Sequence, residues 1–529
     1  MQAESPPKSG TGQGQAQLGQ RQALVLLIGV FIAAICGLVY ELLAGALSSY
    51  LLGSSVTQFS LVIGVFLCAM GVGSFFTQFV RRELIFWFIV IEILVGVVGG
   101  ATGVVGFVSF AYTHIYQAIL YGMVVLVGIL IGMEVPLVLR ILKGRGELRI
   151  SVANVLAADY AGALLASVLF PFVLVPHAGL IRGGLLAGLA NVGVALVIIW
   201  VLRREVKHRL KLLLVIAGSA ALLLGSGLVF ADRLSDKLDE ALFEDQVIYS
   251  KRTPYQHVAI TRWKRDVRLY LNGALQFSSA DEYRYHEVLV HPVMSANPMA
   301  RNVLILGGGD GMAVREILKH SKVESIDLVD LDPAVTELFR KRPDLTALNG
   351  DALNDPRVRI HNEDAFNFLQ EGEGAYDVII ADLPDPNTLG LSKLYTRQFY
   401  RLMVKRLSES GVFVTQASSP FMTREAFWCI AHTLEAVKKR PPKDGTLWAR
   451  AYTAHVPSFG QWGFVMASPR SVAIDELRVT VPTKFLNDEK LKSLFSFGKD
   501  ISEVETPVND LENHELARLY RLGYERFHN

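Results

Sequence analysis

Cysteine is scarce, three in 529 residues, and that excludes a disulfide framework. Cys36 and Cys68 lie in apolar runs and Cys429 stands alone, so no thiolate metal site can be assembled and no metal is expected. An excess of either charge is also lacking. The 52 basic and 50 acidic residues leave a formal net charge of +2, no basic run is interleaved with aromatics, and a nucleic-acid partner is excluded. The first twenty or so residues have no apolar core of a signal peptide; rich in Gly, Gln, Ser and Pro, residues 1–22 read as a disordered tail. His257 and His361 have no partners at metal-ligand spacing and read as structural.

What the chain has in quantity is hydrophobicity, 51% of its residues. Apolar runs fall at about 23–50, 58–80, 84–110, 117–139, 155–176, 183–202 and 212–231, each near the ~20 residues that cross a bilayer. The expectation is an all-α transmembrane bundle of about seven helices over 23–231, multi-pass in the cell membrane, with lipid as a partner. Arg81 and Arg82, then Arg140, Lys143, Arg145 and Arg149, then Arg203, Arg204, Lys207, Arg209 and Lys211 occupy alternate connections, which places the N-terminus in the cytoplasm. Seven crossings would then put the C-terminal half outside, in conflict with the cytoplasmic supply of small metabolites. A re-entrant first run, interrupted by Tyr40 and Glu41, would resolve the conflict. Glu41, Glu92, Glu134 and Asp159 lie within or beside apolar runs; such carboxyls mark a pathway or binding site, or stay neutral and paired between helices.

After Asp232 the chain becomes amphipathic, and "VIYS", "HVAITRW" and "VRLYLNGALQF", with an Asn-Gly turn, predict a small antiparallel β region within a segment 232–300. Beyond Arg301 the pattern becomes strand, glycine turn, helix, strand, through "NVLILGGGDG", "SIDLVDLD", "VRIHNEDA", "YDVIIADLPDP" and "GVFVTQASS". That grammar predicts a Rossmann-like α/β domain over 301–529, a doubly wound parallel sheet of the methyltransferase type.

Its strand ends carry the chemistry. Gly307 to Gly309 turn the chain beside a helix N-terminus and bring backbone close to a ligand. Asp330, about twenty residues on, suits both ribose hydroxyls. Asp364 and Ala365 end the third strand, where sheets of this kind meet an adenine, and Asp382 and Asp385 follow the fourth. With Asp310 they make an acidic cleft, suited to a cationic substrate and hostile to phosphate.

Taken in order, "YQ" at Tyr255 and Gln256, "LYLNGALQFSSADEYRYHE" from Leu269, "GGGDG", Asp330, "EDA", "DLPDP" and "LYTRQFYRLM" from Leu394 resemble the spermidine synthases and related polyamine aminopropyltransferases. The resemblance runs from Tyr255 to about Gly463. It implies transfer of an aminopropyl group from decarboxylated S-adenosylmethionine to putrescine or another small amine, giving spermidine and methylthioadenosine. No cofactor would be tightly bound, the decarboxylated donor being a co-substrate, and a homo-oligomer is expected. Position by position, Gln256, Gly307, Gly309, Asp330, Asp364 and Ala365 would hold the donor, with Gln276 along its aminopropyl arm. His286, Asp310 and Asp385 would face the amine, and Asp382 would be the catalytic base. An alkylammonium titrates near ~10 and must lose a proton before its nitrogen attacks, which a carboxylate at that point accomplishes.

Two departures from the family pattern bear on the amine: Leu383 and Pro384 stand between the paired acids where small hydroxyl residues are usual, and Phe459 in "VPSFGQWGF" replaces a common tyrosine. A methyltransferase using S-adenosylmethionine, and a polyamine-binding sensor or transporter, are the alternative readings. Asp310 argues against the first, because it would repel the carboxylate of undecarboxylated donor; Asp382 and Asp385 argue against the second. "LENHELARLYRLGYERF" reads as an amphipathic helix that packs on its Leu residues.

Overall fold

A computed structural model describes residues 20–52, 55–143, 148–243, 245–439 and 445–528; nearly all of the expected N-terminal tail lies outside these. The chain forms two compact units, Met1–Leu242 and Phe243–Asn529.

The first unit is helical: α1 Gln20–Leu52, α2 Ser55–Phe76, α3 Leu84–Tyr112, α4 Tyr116–Leu142, α5 Leu148–Leu169, α6 Val175–Val201 and α7 Leu210–Leu242. α3, α4 and α6 begin without a side-chain cap; long apolar segments form helices because apolar surroundings demand that every backbone N–H and C=O be satisfied within the helix. Small residues let them approach closely: a Cβ on Gly132 of α4 would fall 2.1 Å from the Met70 carbonyl oxygen of α2, and one on Gly188 of α6 would fall 2.4 Å from that of Gly96 on α3.

The described residues contain six helices long and apolar enough to cross a membrane. Six arise from seven runs because α5 and α6 join through a π-helical turn, Phe170–Leu174, into one stretch of 50 residues, Val152–Val201. That stretch is not straight. Pro171 and Pro176 withhold N–H donors, Gly179 takes φ 69° and ψ −175°, and a Cβ on Gly183 would lie 3.1 Å from Leu174 Cγ. In a straight helix those residues would stand ~13 Å apart, so the chain folds back. The sequence-based suspicion of a break at Tyr40 and Glu41 is therefore corrected: α1 is unbroken, with Tyr40 seated in the space that the missing side chain of Gly99 leaves open.

One end of this bundle gathers the basic connections. Arg140 donates to the Thr77 and Val80 carbonyls at 2.7 Å, Gln22 donates to Glu205 at 3.1 Å, and Arg209 pairs with Glu83 at 3.8 Å.

The second unit opens with an antiparallel sheet in the order β1 Gln246–Arg252, β2 His257–Trp263, β3 Asp266–Leu271, β4 Ala274–Ser278. Its last hairpin turns at Asn272 and Gly273, φ 50° and 81°, the two positive angles that a type I′ turn requires of an Asn-Gly pair. Helix α8, Glu282–Ala296, leads to β5 Asn302–Gly307, helix α9 Met312–Leu318, β6 Ser325–Val329, helix α10 Pro333–Lys341, β7 Val358–His361, β8 Tyr376–Asp382, β9 Leu407–Gln416, β10 Trp448–Val456 and β11 Gly460–Ser468.

The larger sheet has the order β10-β11-β9-β8-β5-β6-β7. Its five strands β5 to β9 are parallel, as the strand-helix alternation predicts, while β10 and β11 add an antiparallel edge. The central strands β5 and β8, and the second half of β9, are largely apolar on both faces and buried, because helices cover each side; β7 at the sheet edge is only partly buried. Strand order reverses between β5 and β8, and the carboxyl ends of those two strands flank the switch-point crevice where open α/β sheets bind ligands.

Candidate active site

Gly307 and Asp382 are register partners at the ends of β5 and β8. Gly307 has φ 84°, and a Cβ there would sit 2.0 Å from the Asp382 carbonyl oxygen; only glycine permits this approach. At Gly309 a Cβ would lie 2.6 Å from Asp330 Oδ2. Instead the Gly309 N–H donates to that oxygen at 3.0 Å, and the Asp332 N–H donates to Oδ1 at 2.9 Å. Asp330 is thus held rigidly at the end of β6, with burial pushing its carboxyl up to about 6 against the pull of those two N–H groups.

Asp382 is partly open to the cleft, yet enclosed enough that burial raises its pKa, an effect moderated by the charge of His286 and a hydrogen bond from Tyr285. The Tyr285 hydroxyl, on α8, donates to Asp382 Oδ1 at 2.7 Å. The next residue, His286, is buried with Nδ1 2.8 Å from Glu282 Oε2. Burial works against its charge, but Glu282, Asp310 and Asp382 together hold it up to about 9. Glu282 is gripped bidentately by Arg315 at 3.0 and 2.9 Å; although burial opposes ionisation, His286 and Arg315 bring its carboxyl down to about 2.

Asp310 is buried beside this group and takes the Met312 N–H at 2.9 Å. Burial raises it to about 6, with His286 opposing and Asp382 reinforcing the rise. Asp385 accepts from Ser418 at 2.7 Å and from Tyr520 at 2.9 Å; burial raises its pKa and those hydroxyls temper it. Tyr520 belongs to the C-terminal helix Glu515–His528, so that helix delivers a polar contact to the acidic cleft as well as packing through buried Leu516.

The remaining sequence-predicted positions lie on the β6 and β7 side and in the small sheet. Gln256 donates to Asp332 at 3.1 Å, beside the Asp330 loop. Asp364 caps the helix Ala365–Glu371 through the Phe366 N–H at 2.8 Å and pairs with Lys393 at 2.8 Å, and Ala365 opens that helix. Gln276 donates to the Ala274 carbonyl at 3.1 Å. Phe459, at the tip between β10 and β11, packs edge-on against Tyr285 with ring centroids 6.1 Å apart.

Sequence reasoning missed Tyr285, Glu282, Arg315, Ser418 and Tyr520. "DEYRYHE" contains the first two within four residues of His286, a signal that helical i, i+4 spacing could have exposed; Ser418 and Tyr520 reach Asp385 only through the tertiary fold. Among the described residues no group of three His, Cys, Asp or Glu side chains could hold a metal ion.

Residues 282–476 match the family model of the spermine/spermidine synthase domain. The chain is 44% identical over 505 residues to the polyamine aminopropyltransferase of Leptospira interrogans, covering 95% of this chain and 99% of that one. It is 42% identical to polyamine aminopropyltransferase 1 of Ralstonia nicotianae, covering 98% of each, and 40% identical to the polyamine aminopropyltransferase of Oceanobacillus iheyensis, covering 96% and 99%. These alignments extend through the helical half.

Proposed function

The chain belongs to the polyamine aminopropyltransferases of the spermine/spermidine synthase family, and from that membership we infer that it transfers an aminopropyl group from decarboxylated S-adenosylmethionine to putrescine. The products would be spermidine and methylthioadenosine. The observation that carries this reading is the Asp382–Tyr285 pair at the β5/β8 switch point.

In this reading Asp382 takes the proton of the attacking ammonium. The freed nitrogen then forms a bond to the methylene beside the sulfonium as the carbon–sulfur bond breaks and its electron pair leaves on sulfur. The sulfonium needs no acid, so the rest of the rate comes from alignment. Asp330 would accept from the ribose hydroxyls, Gly307 and Gly309 would let backbone approach the donor, and Gln256, Asp364 and Ala365 would border its nucleoside, with Gln276 along the aminopropyl arm. Asp385, already supported by Ser418 and Tyr520, would hold the distal ammonium by a charge-assisted bond. Asp310 and His286 would face the amines, and Asp310 would disfavour a donor that keeps its carboxylate.

We place 23–231 in the bilayer, 232–300 as linker and small β region, and 301–529 as the catalytic domain. Large apolar side chains such as Phe172, Trp200 and Leu222 stand more than 70% exposed on the helical unit, as a lipid-facing surface requires. A homo-oligomer would be read from the mass of the detergent-solubilised protein. To test the reaction, the full-length protein is incubated with the decarboxylated donor and putrescine, spermidine or cadaverine. Spermidine formed from putrescine in equal amount with methylthioadenosine is expected; turnover restricted to another amine would overturn the assignment of putrescine.

A further inference from the structure

Four buried polar side chains of the helical bundle carry atoms with no hydrogen-bond partner among the described residues: the Tyr40 hydroxyl on α1, both carboxyl oxygens of Glu92 on α3, Glu134 Oε1 on α4, and both amide atoms of Asn191 on α6. Each residue is at least nine-tenths buried, and Glu92 and Asn191 are 0% exposed.

They come from four helices to one region. Glu92 lies eight residues after the start of α3 and Glu134 eight before the end of α4. Those two ends meet where Arg140 grips the chain just ahead of α3, so both carboxyls sit ~12 Å inside the same end of the bundle. Tyr40 is within electrostatic range of both, and its ring lies against Gly99, two turns beyond Glu92. Asn191 Cβ is 3.3 Å from where a Cβ on Gly96 would stand, one turn beyond Glu92. Asp159 on α5 is half-buried and within electrostatic range of Glu134.

Buried polar groups cost free energy unless partnered, and carboxyls among apolar helices cost the most. A bundle that converges two carboxyls, a hydroxyl and a carboxamide, and leaves these atoms without partners of its own, is built for a partner from outside. We propose that Tyr40, Glu92, Glu134 and Asn191 line a binding site within the bundle for a primary ammonium cation of the polyamine class. An ammonium group brings positive charge and three N–H donors, and the unpartnered oxygens of Glu92, Glu134, Tyr40 and Asn191 can accept them. The choice of a polyamine over an alkali ion rests on the function proposed above.

The test counts radiolabelled spermidine bound per chain by equilibrium dialysis, using the full-length protein in lipid nanodiscs, with aminopropyl transfer measured on the same preparation. Two sites are expected, one of them lost in Glu92→Gln/Glu134→Gln while the transfer rate is retained. Should that double variant not fold, Tyr40→Phe and Asn191→Leu, which keep both carboxyls, are expected to weaken the second site by roughly tenfold at unchanged thermal unfolding. Transfer with no site lost in any variant overturns the proposal, as does displacement of the second spermidine by an equal concentration of potassium. A site lost with these residues in a protein that shows no transfer would sink the proposed function and leave this ammonium site standing.

Discussion

The buried carboxyls of the two halves are treated in opposite ways. In the α/β half Asp382 has Tyr285, Asp385 has Ser418 and Tyr520, Asp330 has two backbone N–H groups, and Glu282 has Arg315 and His286. In the helical half Glu92 and Glu134 are as deeply enclosed, and Glu92 has no hydrogen-bond partner among the described residues. The partners in the cleft fix each oxygen before substrate arrives, which is what preorganised catalysis needs. Carboxyls left without such partners have their free-energy minimum deferred to a state in which something else is bound.

That contrast can be broken first at Asp382. Asp382→Asn keeps the shape and the Tyr285 contact but removes the base, and should lower kcat by ~10²–10⁴ with little change in KM for the donor; steady-state kinetics of methylthioadenosine release decides it. Next comes Arg315→Met, which leaves Glu282 enclosed with His286 alone. Breaking a buried pair from one side costs about 3 kcal/mol, so calorimetry should show the α/β unit melting roughly 5–10 °C lower.

Tyr285→Phe should reduce kcat roughly tenfold, the worth of one hydrogen bond to a charged group. Because the tyrosine hydroxyl holds the Asp382 pKa down, its loss should also move the acidic limb of the rate profile to higher pH, which a purely structural role would not do. In the wild type, burial pushes the Asp330 carboxyl up to about 6. Its carboxylate is the acceptor for ribose and is ionised above that value, so kcat/KM for the donor should fall about tenfold per pH unit below about 6. The smallest effect is expected from the other half: Glu92→Leu replaces an unpartnered acid with an apolar side chain of similar size. It should leave the thermal stability of the bundle unchanged or raise it by less than ~1 kcal/mol, the reverse of Arg315→Met.

The sequence carried the strand ends openly. Asp330, Asp382 and Asp385 come after short apolar runs and Asp364 after the mixed strand "VRIH", so the strand-turn-helix grammar alone brings them to one edge of a sheet, and the Asn-Gly pair marked its hairpin through the positive φ both residues adopt. The partners were hidden because their pairings are tertiary: Tyr285 lies 97 residues from Asp382 and Tyr520 lies 135 from Asp385. Hydropathy located the apolar runs, and the gap it left between 155–176 and 183–202 holds Gly179, whose φ 69° turns the chain; yet it also attributed a break to Tyr40 and Glu41, where α1 is continuous and Tyr40 packs against Gly99. The β10–β11 hairpin was legible only as the motif "VPSFGQWGF", since Phe459 and Trp462 at its tip have side chains of the kind that also fill cores.

The most direct test compares donors. Initial rates of methylthioadenosine formation are measured for the full-length protein and for Asp382→Asn, with putrescine and either decarboxylated S-adenosylmethionine or S-adenosylmethionine itself. Product from the decarboxylated donor alone, nearly abolished in Asp382→Asn, is the expected result. Equal use of both donors, methylated amine, or an undiminished Asp382→Asn rate would contradict the assignment of this cleft to aminopropyl transfer with Asp382 as its base.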